Sequence, residues 1–265
     1  DYCIPAEFVA REMESSFGHF FGDAAPKIVV DPALSSKAAA SSDRVRLRGA
    51  TCFSAEDVKQ LIEHEGYVHA GTAKNGRNQQ HLTSLSLSAP RTTTTQEGLA
   101  TVAEVISGSM DLVRLRRLAL RVSAIDEAIN GADYLDVFHF MLKHGQTELE
   151  SAHSAARIFR GGDVRGRHVF TKDVVYLRGL FSVHTFFRRA MIDVRPELVR
   201  RSFAGRLTLR DVLRLEPLFE DGTIAPPQFV PAWATNLRAL AASMSFSALY
   251  NQIDLESVDL QTLWG

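Results

Sequence analysis

The sequence predicts an α+β fold that is mostly helical, with a small sheet near its N-terminal end. Three observations lead there. Two short β-favouring runs lie in the first fifty residues, apolar residues recur at helical spacing from residue 54 onward, and no internal repeat or low-complexity tract divides the chain. At 265 residues, 45% hydrophobic and 23% charged, the composition is that of an ordinary globular protein able to bury a sizeable core. Residues 1–265 read as a single domain; a chain that opens on Asp1 rather than Met can be a fragment of a longer one.

Most of the first fifty residues read as irregular or extended. KIVVDP (27–32) and RVRLRG (44–49) are the two expected strands, joined by the small-residue segment ALSSKAAASSD. Ser54 followed by Asp57 forms a capping box for a helix whose apolar face runs through Val58, Leu61, Ile62 and the His64 turn, ending near Ala70 and Gly71. AKNGRNQQ then reads as a polar loop and SAPRTTTT as a breaker. The next helix is expected to start around Thr95 and stop at Gly108. Beyond it, periodicity predicts helices over 111–130, 133–144, 147–160, 171–192, 195–204, 208–218 and 232–249, interrupted by RGGDVRGRH and GTIAPPQFVP.

Thirty basic and 31 acidic side chains nearly cancel, so the net field gives no reason to expect nucleic acid or an anionic membrane as partner. RLRRLALR (114–121) fits a helix with leucines inward and arginines on a solvated face. No apolar run reaches the roughly 18 residues that a bilayer crossing requires. Cys3 and Cys52 lie far apart and in no metal or redox spacing. They suit a reducing compartment better than a disulfide framework, and a cytoplasmic setting is the expectation.

The chemistry concentrates in EHEGYVHAGT. His64 and His69 are five residues apart, and five steps of an ideal α-helix leave them roughly 140° apart, too far to share a metal. A π-bulge widens the turn and can bring such residues together, and Gly66 inside the gap makes the distortion cheaper. A zinc site would need a third ligand, and TQEGLATVAE offers Glu97 in the first turn of the following helix. Glu104, seven residues on, would hold the free ring N–H of a ligating histidine. Glu65 would project beside the ion as general base, a constellation for metal-assisted hydrolysis. Two alternatives share these ligands. Two histidines and a carboxylate also describe the facial triad of iron oxygenases, and a regulatory protein could hold a non-catalytic metal, with His81 as the nearest fourth ligand.

HEGYVHAG, NGRNQ, TQEGLATVAE, ARIFRGGD and FTKDVVYLRG, spread from about Phe53 to Gly179, resemble the bacterial QEGLA-motif proteins of the flavohemoglobin expression-modulating type. They also resemble the eukaryotic relatives of those proteins, the microtubule-associated tyrosine carboxypeptidases, though the bacterial branch more. The resemblance implies a zincin-like metallopeptidase with His64, His69 and Glu97 as Zn2+ ligands and Glu65 as catalytic glutamate. It also implies that the substrate is a peptide or protein C-terminus, with tyrosine or another aromatic residue removed. A carboxypeptidase needs a cation for the free carboxylate and a donor for the oxyanion. FTKDVVYLRG offers Lys172 and Tyr176, four apart on a helix, with Arg178 nearby; solvation of Lys172 and a core ring for Tyr176 are the alternatives. Arg157 and Arg160 form a further basic pair for an acidic peptide or terminal carboxylate, unless they serve only to cap their helix. Asn75 and Gln79 suit turn hydrogen bonds within their own loop. The histidines at 139, 144, 153, 168 and 184 lack ligand spacing and read as structural.

Overall fold

The computed structural model describes residues 3–34 and 36–250, with side chains placed through residue 245. It opens on a helix rather than irregular chain. In α1 (Ala6–Phe21), Ala6, Val9, Met13, Phe17 and Phe21 recur every three or four residues and are all buried. The strands follow as β1 (Lys27–Asp31), β2 (Ala38–Ala40) and β3 (Arg44–Arg48) in the order β1-β3-β2, with β1 parallel and β2 antiparallel to β3. The expected two-strand sheet therefore has a third member. The alanine run expected to be a connector pairs with Leu47, Arg46 and Val45 and satisfies the free edge of β3. On β3, Val45 and Leu47 face inward while Arg44 and Arg46 face out.

The remaining elements are helical. They are α2 (Ala55–Leu61), a π-helix (Ile62–Ala70), α3 (Gly71–Arg77), α4 (Pro90–Ser107), α5 (Leu112–Ile129), α6 (Tyr134–Lys143), α7 (Glu148–Ile158) and α8 (Val174–Ile192). Shorter pieces complete the described chain: α9 (Glu197–Arg201), α10 (Leu209–Arg214), α11 (Glu216–Glu220), α12 (Ala232–Thr235) and α13 (Leu237–Tyr250). The Ser54–Asp57 capping box is formed in both directions, as the sequence predicts. The expected helices 208–218 and 232–249 are each broken into two, and two boundaries nearer the histidines also differ from expectation. The helix continues through Arg77 instead of stopping at Gly71, because the NGRNQ segment is packed rather than solvated. Asn75 bonds the backbone of Phe203, Gln228 and Phe229, and Gln79 bonds Ala204 and Ala225, so both tie distant chain rather than their own turn. And α4 starts at Pro90, whose fixed φ and missing N–H suit the first helical position, so the expected breaker is a start signal.

Two cores meet at the π-helix. Val68 joins a cluster built mainly from Leu99 of α4 and Val183 and Phe187 of α8, with Phe203 from the chain after α9, whereas Leu61 and Ala70 join one built from α1 and the sheet. The α4–α8 crossing is close. A Cβ on Gly98 would lie 2.5 Å from the Gly179 carbonyl oxygen, and one on Gly179 would lie 2.3 Å from that of Thr94. The expectation for the cysteines is overturned, since Cys3 and Cys52 form a disulfide across 49 residues. The bond sits beside the Ile4–Phe53 bridge and straps the start of the chain to the segment that leads into α2. Their proximity arises only in the fold, so the spacing that suggested free thiols carries no weight, and with it goes the ground for a cytoplasmic setting. No helix among the described residues is long and apolar enough to cross a membrane.

Candidate metal centre

The five-residue gap is closed by a wide helix. Instead of one bulge, nine residues from Ile62 to Ala70 are π-helical, and the Gly71 N–H donates to the Gly66 carbonyl, an i to i+5 bond. Gly66 is required by packing as well as by backbone freedom: a Cβ there would sit 2.1 Å from the ring of Phe17, which is fully buried. With the turn widened, the His64 and His69 rings stand 4.7 Å apart, edge to face. Glu97 reaches them from the middle of α4 rather than from a first turn, since that helix starts earlier than expected. Its Oε2 lies 3.3 Å from His64 Nε2 and 3.4 Å from His69 Nε2.

These three side chains could hold a metal ion: one ligand atom from each lies within 4.8 Å of the others. The pattern of hydrogen bonds fits a cation. Glu97 Oε2 is buried with no hydrogen-bond donor, as is His69 Nδ1 with no partner of its own. His64, by contrast, is fixed at its other nitrogen, where Nδ1 stands 2.6 Å from Glu104 Oε1. A proton on Nδ1 leaves the Nε2 lone pair facing the cluster. Burial opposes charge on the metal-free His64, but the Glu104 and Glu97 carboxylates prevail and push it up to about 10. Burial opposes charge on Glu97 too, but the facing His64 and His69 imidazoles hold it well below the usual carboxylate range.

Glu104 is fully buried and fully engaged, accepting from Gln60 Nε2 at 2.9 Å and from Arg114 through both Nε and Nη2. Arg114 is therefore not on a solvated face, and neither is Arg121, which lies 3.6 Å from buried Asp173. The expectation for RLRRLALR holds in part: Leu118 is buried and Arg116 exposed, but Arg114 and Arg121 turn inward to Glu104 on α4 and to Asp173 in the turn before α8. Glu65, half-buried, lies near enough that its charge acts on His64, Tyr176 and Arg206.

The other expected site residues divide. The Tyr176 ring centroid is 6.4 Å from that of His64, and its hydroxyl bonds no protein group among the described residues. Burial and the Glu97 and Asp173 carboxylates push that hydroxyl above the usual phenol range, which keeps it a donor. Lys172 lies in the turn before α8 rather than on the helix, with Nζ 3.3 Å from Glu97 Oε1. Arg157 is committed to Asp173 through both Nε and Nη2, so an inward ion pair, rather than helix capping, holds it. Arg160 lies over the Phe170 ring at 4.3 Å, and Arg178 is exposed on α8. His81 is exposed and is not one of the converging ligands.

A family model described as microtubule-associated tyrosine carboxypeptidase matches residues 2–252. The chain belongs to this family. No curated protein gives a match. Membership in a carboxypeptidase family makes a peptide or protein the substrate class, and the match extends the resemblance from the central motifs to nearly the whole chain. Sequence reading missed Arg114, Gln60 and Asp173, which orient the site through contacts formed only in three dimensions.

Proposed function

We propose that the protein is a zinc-dependent carboxypeptidase of zincin-like build, of the bacterial QEGLA-motif type. The observation that carries this reading is the convergence of His64, His69 and Glu97, with Glu97 Oε2 buried and lacking a donor. In this reading residues 1–265 act as one catalytic domain. When bound, the ion supplies Lewis acidity and lowers the pKa of water from about 15.7 to about 7. Glu65 takes the proton of the attacking water at its carboxylate and delivers it to the leaving amine. Tyr176 donates its hydroxyl to the developing oxyanion. Glu104 holds His64 in the tautomer that presents Nε2. Lys172, half-exposed beside Glu97, is a cation near the proposed ligands; Arg160, just after α7, and exposed Arg178 on α8 add positive charge that can draw in an acidic peptide, whereas Arg157 is taken up by Asp173. The terminal residue removed is tyrosine or another aromatic. The Cys3–Cys52 bond favours an oxidising compartment over the cytoplasm.

Short peptides read by mass spectrometry, with and without a zinc chelator, test the reading. Stepwise loss of one C-terminal residue is expected, stopped by the chelator. The Glu65→Gln variant should keep its metal and lose about 10²- to 10⁴-fold in kcat/KM. Internal cuts, or full activity in Glu65→Gln, would overturn the mechanism.

A further inference from the structure

A carboxypeptidase must tell a free terminal carboxylate from an internal amide, and the cations around this cluster differ in how free they are to do so. Arg114 is held by Glu104, Arg157 and Arg121 by Asp173, and Lys172 stands beside Glu97. Arg206 is different. It is half-buried, pairs with no carboxylate among the described residues, and has a buried Nε without a partner. Among the described residues its only side-chain hydrogen bond runs from Nη1 to the Ser88 hydroxyl.

The segment that carries Arg206 is fixed beside the site. The Arg206 N–H donates to the Leu85 carbonyl at 2.7 Å, and the preceding Gly205 packs so closely that a Cβ would lie 2.7 Å from Leu85 Cβ. Three residues on, the Leu209 N–H donates to Thr95 Oγ1 at 3.3 Å, two positions before Glu97 on α4. Burial pulls the guanidinium below the usual arginine range, and the charges of Glu97 and Glu65 restore it only in part. So the group shares the field of the proposed ligand and base without bonding either.

We propose that Arg206 is the residue that binds the substrate's terminal carboxylate, through the Nε and Nη2 edge of its guanidinium. This rests on the carboxypeptidase reading and names the residue that makes it an exopeptidase. A buried N–H without a partner is costly, and a planar carboxylate meets two parallel donors of the fork where an internal amide offers one oxygen. A cation already committed to a protein carboxylate would first have to break that pair.

Binding separates this claim from catalysis. In a Glu65→Gln background, calorimetry compares a short tyrosine-ended peptide as free acid and as C-terminal amide. The acid should bind about 10- to 100-fold more tightly. Arg206→Ala and Arg206→Gln should bring that ratio close to one, with Arg206→Lys retaining part of it, and thermal melting identifies which variants fold. On the active chain the same substitutions should raise KM for the acid far more than they lower kcat. An acid preference that survives Arg206→Gln and vanishes in Lys172→Ala overturns the assignment and leaves the carboxypeptidase reading standing. Equal binding of acid and amide with Arg206 intact overturns both.

Discussion

Glu97 and Glu104 stand seven residues apart on α4, both are buried, and both touch His64, yet their surroundings differ. Glu104 accepts from His64, Gln60 and Arg114, while Glu97 faces two imidazole nitrogens and leaves Oε2 without a donor. A buried carboxylate with its oxygens occupied is a fixed part of the scaffold. One whose Oε2 has no well-formed hydrogen bond while two imidazole nitrogens stand 3.3 and 3.4 Å away needs positive charge beside it, a proton on the imidazole or a metal ion in its place. The same helix thus carries a positioning group and a proposed ligand, distinguished by how far each is satisfied.

Replacing Glu104 gives the largest expected effect on stability. Glu104→Ala strands Arg114, Gln60 and His64 Nδ1 together, and should cost about 3–5 kcal/mol in denaturant unfolding. Glu104→Gln should fold better and lower metal affinity by about 10- to 100-fold. If Glu104→Gln binds metal as the parent chain does, the positioning role is wrong.

The disulfide supplies a contrasting control, a loss of stability that leaves the cluster whole. Cys3→Ser opens a 49-residue loop and should cost about 2–4 kcal/mol, with metal stoichiometry unchanged. A Cys3→Ser chain that folds but no longer binds metal would show that the strap shapes the site.

A smaller effect comes from His64 in metal-free protein. Its folded pKa, about 10, lies above the ordinary value of 6.5, so the stabilisation is fully present below 6.5 and is lost as pH rises through 10. Tm of the metal-free chain should fall by several degrees between pH 7 and 10. Metal takes the place of the proton, so the loaded chain should show a much flatter profile over that window. Equal slopes with and without metal would remove His64 from the account.

Much of the centre was legible because it is local. The five-residue histidine spacing demanded a widened turn, Gly66 marked where it could occur, and the seven-residue interval from Glu97 to Glu104 put both on one face of α4. What escaped depends on distant chain. Asn75 bonds residues more than a hundred positions away, Arg114 answers a carboxylate on another helix, and Cys3 meets Cys52 only after α1 packs on the sheet. Two misses were avoidable. The apolar period of α1 and the start signal at Pro90 are both written in the sequence, but a phenylalanine-rich N-terminal segment without a capping residue and a threonine run after proline masked them.

The most direct test is metal content by mass spectrometry under native conditions, on protein purified without added metal, for the parent chain and Glu97→Ala. One zinc per parent chain and none in a folded Glu97→Ala variant is the expected result. An active parent chain that carries no metal, or a Glu97→Ala variant that still holds one ion as tightly, would contradict it.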